Sequence, residues 1–204
     1  MVLNEVWHYR HDMTNLCFLP FVIIPNILYL SNPISSFFSS LQYISFFAYV
    51  AFDTLFVALI PSCVASPSTI ISHHLLVALG WLAIILDNTF YYHISFGILV
   101  EINTFFHIAR RNFRQNSFLQ IMFFVSWFIC RNVLYPIVLY KFSYVYLDYS
   151  TLPGNSYWNS GLIMWILMVA LNALNTKWTY DLVKKKLRIE NNRIVFDEKH
   201  DKGM

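Results

Sequence analysis

Ionisable side chains lie inside apolar stretches of this sequence, where a charge is costly and usually marks a functional site or an interior contact. They are Asp53, His73, His74, His93, Glu101, His107 and Arg131. A histidine whose second nitrogen is held by a carboxylate is a typical general base near neutral pH. A desolvated imidazole can also accept an acyl group. The pair His73–His74, with Asp53 and Glu101, is therefore the candidate catalytic set.

The same residues have a structural interpretation, because polar side chains in membrane proteins hold helices together through interhelical hydrogen bonds. A lone histidine would favour that interpretation, and a His pair level with two carboxylates leaves both open. His93 and His107 lie near the two ends of one apolar stretch, which favours interfacial packing for both. Arg131 either pairs with a buried carboxylate, extends toward the interface or contacts a substrate.

The composition is that of an integral membrane protein. Of the 204 residues, 57% are hydrophobic and only 12% are charged, whereas soluble chains are about one-quarter charged. This excludes intrinsic disorder. Three cysteines, an odd number in apolar runs, exclude a disulfide scaffold. A net charge of +3 without a basic face argues against nucleic-acid binding.

Six segments approach the roughly 20 apolar residues that a bilayer-spanning helix needs. They cover residues 16–30, 41–60, 69–86, 89–109, 118–140 and 158–177. The first is short and contains Pro20 and Pro25, which kink but do not forbid a membrane helix. A signal peptide is the alternative for it, but no A-x-A-like cleavage site follows. We predict an all-α membrane protein with six transmembrane helices.

Positive charge predicts the orientation. With six spans, twelve of the 14 basic residues fall on the side that carries both termini. The positive-inside rule places that side in the cytosol. The predicted organisation is a cytosolic N-terminal segment (1–15), a six-helix transmembrane domain (16–179) and a cytosolic tail of basic and mixed charge (180–204).

The helical rise places several polar groups in one layer. At about 1.5 Å per residue, Asp53 and Glu101 lie about 12 Å from the cytosolic side, and His73 and His74 about 6–8 Å. Asn172 lies about 7 Å deep and Arg131 about 20 Å deep. This layer, open to the cytosol, is the predicted site. No span carries two histidines four residues apart, so neither a metal site nor a cofactor is predicted.

Five short elements in order resemble the TLC-domain family. Tyr49 and Asp53 are similar to its Y-x-x-x-D element, His73-His74 to its His-His helix start, and Glu101 begins a stretch similar to its E-x-S/T-T-P-F element. Two further elements are the R-x-x-x-x-P stretch at Arg131 and the L-N-x-x-W stretch that contains Asn175. Together they cover roughly residues 45–185.

The resemblance implies a TLC-type barrel or bundle of six helices around a lipid-sized cavity, usually in the endoplasmic reticulum. The family includes ceramide synthases, which acylate sphingoid bases from acyl-CoA, and smaller members linked to membrane phospholipid composition. Synthases carry an Asp pair at the positions of Ile94 and Gly97, and a proline where this chain has Phe105. The chain thus resembles the smaller, non-synthase branch.

Two functions follow from the resemblance. In the first, the protein binds lipid acyl chains and adjusts membrane composition without catalysis. In the second, it is an acyl-CoA-dependent acyltransferase in which His73 or His74 is the base or acyl carrier and Asp53 and Glu101 orient it. The predicted substrate-binding side chains are Thr104, Arg131, Asn172 and Asn175. The predicted partners are membrane lipids and, for an enzyme, acyl-CoA; homo-oligomerisation stays open, and a partner-binding receptor ranks last because the loops are short.

Overall fold

The structure, a computed structural model, describes residues 2–86, 91–151 and 160–201, and the part it describes is almost entirely helical. The helices are α1 (Val2–Ser31), α2 (Ser36–Leu59), α3 (Pro67–Leu86), α4 (Tyr91–Ile98), α5 (Val100–Asn112), α6 (Ser117–Trp127), α7 (Tyr135–Thr151) and α8 (Ser160–Asp201). A 3₁₀ turn, Pro61–Cys63, follows α2, and a π-helical segment, Phe128–Leu134, joins α6 to α7. The all-α prediction is confirmed.

Four helical stretches are individually long and apolar enough to cross a membrane. They are Asn4–Ser31, Ser36–Leu59, Ser117–Asp148 and Gly161–Arg188. At 20 residues, α3 reaches about 30 Å, the thickness of the hydrocarbon core. The chain is thus a multi-pass membrane protein, with four to six helices long and apolar enough to span a membrane.

Helix contacts arrange the spans in a closed ring. α1 packs on α2, α2 on α3, and α3 on α8. α8 then packs on α7, which contacts α4, while α6 contacts α5; α4 and α5 return to α1. The ring has a basic end, where α1, α3 and α6 begin and α8 leaves the bundle, and an opposite end, where α1 finishes.

Several helix boundaries differ from the predicted spans. α1 begins well before residue 16, so the predicted N-terminal segment is helical and continuous with the first span. α8 likewise runs without a break from the last span into the predicted tail, as far as Asp201. The predicted starts of the fourth and sixth spans, at residues 89 and 158, fall outside the described residues. Hydropathy marks where a helix leaves the hydrocarbon, whereas backbone hydrogen bonding continues beyond that point.

Two local irregularities have identifiable causes. α4 and α5 are separated at Leu99, where the backbone forms tighter bonds, from Leu99 to Phe96 and from Ile102 to Leu99. The π-helical segment precedes Pro136, which has no N–H to donate to the carbonyl four residues earlier and whose ring would collide with it. A wider turn before a proline relieves that conflict.

A buried polar cluster joins three helices at the opposite end. Gln42 of α2 donates to Asn26 Oδ1 of α1 at 2.6 Å and to Ser95 Oγ of α4 at 2.8 Å. Asn26 in turn donates to the Ser95 carbonyl at 3.0 Å. All three side chains are fully buried. Since lipid offers no hydrogen bonds, these contacts fix α1, α2 and α4 relative to one another.

Gln42→Leu removes both side-chain donors and leaves Asn26 Oδ1 without a partner. We expect the free energy of unfolding in detergent to fall by about 1–3 kcal/mol, the cost of unpaired buried polar groups. Denaturant titration followed by circular dichroism measures the change. Ser40→Ala, an exposed position on the same helix, is the control. Equal stability of the two variants would contradict the structural role of Gln42.

Candidate functional site

Asp53 is the centre of a buried cluster near the basic end, contributed by α1, α2 and α3. Its Oδ1 accepts hydrogen bonds from His11 Nε2 at 2.8 Å and from Asn15 Nδ2 at 2.7 Å. Its Oδ2 lies 3.5 Å from Nε2 of His74. Asp53 is 3% exposed, and the other three side chains are also buried. We call this group, together with Thr54, the acid–imidazole cluster.

Thr54 lies at the second nitrogen of His74. The Thr54 hydroxyl is 2.6 Å from the Val50 carbonyl and 2.9 Å from Nδ1 of His74, within hydrogen-bond distance of both. Nε2 of His74 faces the Asp53 carboxylate. Both nitrogens of His74 are engaged by α2.

A second cluster forms around Arg131, in the π-helical segment. Its Nε donates to Asn103 Oδ1 of α5 at 2.9 Å, and its terminal nitrogen donates to Asn175 Oδ1 of α8 at 2.5 Å. Asn103 passes the contact on, donating to Ser126 Oγ of α6 at 3.1 Å. We call these four residues the arginine–amide cluster. It joins α5, α6, the π-helical segment and α8.

Trp178 connects the two clusters. The Arg131 guanidinium lies 4.9 Å from the centre of the Trp178 ring, a cation–π distance. The His73 ring packs edge-on against the same indole, with centroids 5.5 Å apart. The centroids of His73 and His74 are 5.7 Å apart. His73 thus lies between the clusters, and its buried Nδ1 has no hydrogen-bond partner.

The other predicted residues have distinct surroundings. Glu101 is buried, is hydrogen-bonded by the Thr104 side chain, and lies within electrostatic range of Arg131 and Asp53. Asn172 donates to the Met168 carbonyl of its own helix at 2.9 Å and to the Tyr135 carbonyl at 3.4 Å. His93 packs on Phe142 and His107 on Phe123.

An apolar cavity of about 30 Å³ lies between helices of the ring. This is room for about one water molecule, against roughly 300–1,000 Å³ for small-molecule sites, so a larger ligand enters only when the lining side chains move apart. Tyr135 supplies the main polar group among side chains from α2, α3, α4, α7 and α8. The lining residues are Phe46, Leu76, Val77, Gly80, Trp81, Gly97, Ile98, Tyr135, Met164, Leu167, Met168 and Leu171.

The cavity and the polar clusters are adjacent, because lining residues stand one helical turn from cluster residues. Residues four apart share a helix face. Val77 follows His73 by four positions within α3, and Asn175 follows Leu171 by four within α8. Tyr135, which lines the cavity, lies within electrostatic range of Arg131 and Glu101. The polar residues therefore form a layer that closes the cavity at the basic end.

The sequence reasoning identified most of this layer and missed three residues. His11, Asn15 and Asn103 are buried and hydrogen-bonded in the two clusters. His11 and Asn15 fell in the segment predicted to lie outside the membrane. Their four-residue spacing, which places both on one helix face, was the available signal. Asn103 stands two positions after Glu101 and was an unconsidered amide within a predicted span.

The ring of helices, the apolar cavity and the polar layer beside it define a multi-pass membrane protein with a polar site in its interior. Comparison with protein families then gives the particular class: the model of the TLC domain matches residues 25–184. The chain belongs to the TLC-domain family, and the predicted resemblance is confirmed. No curated protein and no solved structure matches the chain.

Asn175→Ala tests the arginine–amide cluster. It removes the acceptor of an Arg131 hydrogen bond, and a buried charged donor that loses its partner costs about 1–3 kcal/mol or more. We expect a corresponding loss of stability in detergent, measured by chemical denaturation. Thr176→Ala, the exposed next residue on α8, is the matched control. If both variants unfold like the parent protein, Arg131 does not depend on Asn175.

Proposed function

We propose that the protein binds the acyl chain of a membrane lipid in the apolar cavity, with the lipid's polar group against the layer of Asp53, His73, Glu101 and Arg131, and that it serves membrane lipid homeostasis. The observation that carries the proposal is the adjacency of an apolar cavity and a polar layer within one ring of helices. A membrane lipid has the same division into an apolar chain and a polar group.

The polar layer is the source of discrimination in this proposal. An acyl chain in the bilayer is already in an apolar medium, so entering the cavity removes little further surface from water. Selectivity then comes from hydrogen bonds and charge. Nδ1 of His73 is buried and has no hydrogen-bond partner. Both nitrogens of His74, in contrast, are in contact with Thr54 and Asp53. The lipid group that reaches the layer would therefore contact His73 first.

The position of the layer supports access from the basic end. His11 lies twenty residues before the end of α1, which corresponds to about 30 Å of helix and the full hydrocarbon thickness. The acid–imidazole cluster thus lies near the membrane surface. We propose that this surface is cytosolic, because it carries most of the basic residues, and that the membrane is the endoplasmic reticulum.

Gly97→Leu tests occupancy of the cavity. A Cβ at Gly97 has its nearest neighbour, the Tyr135 hydroxyl, at 4.0 Å, so a side chain can start there and extend into the cavity. We expect the purified variant to retain several-fold less bound lipid than the parent, measured by native mass spectrometry and extraction. Ala78→Leu, on the exposed side of α3, adds the same kind of side chain toward the bilayer and should leave retention unchanged.

Equal lipid retention in Gly97→Leu and Ala78→Leu, with both proteins folded, would show that co-purified lipid binds the outside of the ring. Loss of lipid in both would indicate a general disturbance of the bundle. Only a loss confined to Gly97→Leu supports a chain in the cavity.

Acyl transfer from acyl-CoA is the second candidate, and the placement of His73 favours it. His73 lies one helical turn before Val77, which lines the cavity, and has a buried nitrogen without a partner. In this reaction His73 takes the proton of an amine or hydroxyl acceptor while that atom attacks the thioester carbonyl. The C–S bond then breaks, and the departing thiolate receives the proton from His73. Asp53 and His74, which contact each other beside His73, would orient His73. Glu101 would face the acceptor.

His73→Gln tests that reaction. Transfer of labelled acyl groups from acyl-CoA to sphingoid bases and lysolipids should fall by about 100-fold or more if His73 is the base. His93→Gln, a half-buried histidine near the other end of the ring, should keep full turnover. Absence of turnover by the folded parent protein on every acceptor would remove the enzymatic candidate and leave lipid binding untouched.

A further inference from the structure

The first turns of α1 precede the residues that the family model matches, which begin at residue 25. They nevertheless supply two of the three side chains that contact Asp53. We propose that His11 is a positioning residue. By holding Oδ1 of Asp53, it directs Oδ2 to His74. It thereby fixes the orientation of the His73–His74 pair next to the cavity. This inference extends the proposed function, since it adds α1 to the same site.

The two oxygens of the Asp53 carboxylate face different imidazoles, that of His11 and that of His74. Oδ1 receives both donors from α1, His11 Nε2 and Asn15 Nδ2, which leaves Oδ2 directed at α3. A carboxylate with one oxygen held by two donors cannot rotate about its terminal bond without breaking both. The orientation of Asp53 is thus determined by α1 rather than by its own helix.

The protons of His74 make this orientation consequential. Nε2 of His74 faces Oδ2 of Asp53 at 3.5 Å, and Nδ1 lies 2.9 Å from the Thr54 hydroxyl, so a proton on Nε2 points at the carboxylate. If Oδ2 moved away, Nε2 would lose its partner, and the ring could exchange its tautomer or turn toward His73. His11 therefore acts on His74 through Asp53, without touching it.

His11 is itself held firmly. Its ring is 5% exposed and packs against Phe56 of α2 with centroids 5.2 Å apart. The next residue, Asp12, is 1% exposed and forms an ion pair with Arg111 of α5, with Arg111 Nε donating at 2.7 Å. Asn112 also donates to Asp12, at 2.9 Å. These contacts hold the start of α1 against α5. They therefore keep Nε2 of His11 within hydrogen-bond distance of Asp53.

The test is ¹⁵N NMR of histidine-labelled full-length protein in detergent micelles, with the His74 resonances assigned by comparison with His74→Gln. In the parent protein we expect a single set of His74 nitrogen resonances, because Asp53 holds Nε2 in one protonation state. His11→Leu should shift or broaden both His74 nitrogen resonances. His11→Gln keeps a side-chain N–H donor and should restore the parent pattern.

Two further variants separate positioning from general packing. Tyr9→Phe changes an exposed side chain two positions before His11 and should leave His74 unaffected. Asn15→Leu removes the second donor while His11 remains, and should perturb His74 less than His11→Leu does. It also provides a usable variant if His11→Leu fails to fold. Unchanged His74 resonances in every folded variant that lacks a donor would overturn the proposal.

This experiment stands apart from the tests of lipid binding and acyl transfer, because the resonances report the His74 tautomer with no substrate present. Loss of the proposed function with a perturbed His74 in His11→Leu would leave His11 as a positioning residue in a site of another purpose. An unperturbed His74 together with normal lipid retention would remove His11 from the site and keep the function.

Discussion

Hydrocarbon cannot hydrogen-bond, so every polar side chain buried within the spans must find its partner on another part of the protein. Three clusters meet this constraint, and each ties together at least three helical elements. Gln42 joins α1, α2 and α4, Asp53 joins α1, α2 and α3, and Arg131 joins the π-helical segment to α5 and α8. Apolar packing between helices is weakly selective in lipid, so these clusters specify which helices are neighbours.

The side chains of the polar layer differ in whether all their polar atoms have hydrogen-bond partners. Arg131 and Asn175 bond to each other, and His74 is engaged at both nitrogens. These residues hold the layer together, and their bonds would have to break before they could contact a ligand. His73 differs, since it packs between an indole and an imidazole with a nitrogen to spare. The interior therefore combines hydrogen-bonded polar groups with groups such as His73 that have an atom without a partner.

The sequence alone predicted the all-helical membrane class, because hydropathy depends only on residue order. It could not predict how each helix is rotated about its axis. Because of that rotation, Asp53 contacts His74 and His11. Arg131 donates hydrogen bonds to the amides of Asn103 and Asn175, whereas a buried carboxylate was one of its expected partners. His11 was missed for a related reason: the polar start of α1 has no hydropathic signal, although its contacts are buried.

The π-helical segment has a consequence for how this gene can change. Phe128, Ile129 and Val133 point outward, so exchange of one apolar residue for another there costs little. Loss of one outward-facing residue is also accommodated, because a π turn that loses a residue closes to an ordinary α-helical turn and the helix beyond it keeps its phase. Arg131 could then still meet Asn103 and Asn175 while Tyr135 faced the cavity. In this stretch, inheritance must preserve Arg131 more strictly than the number of residues.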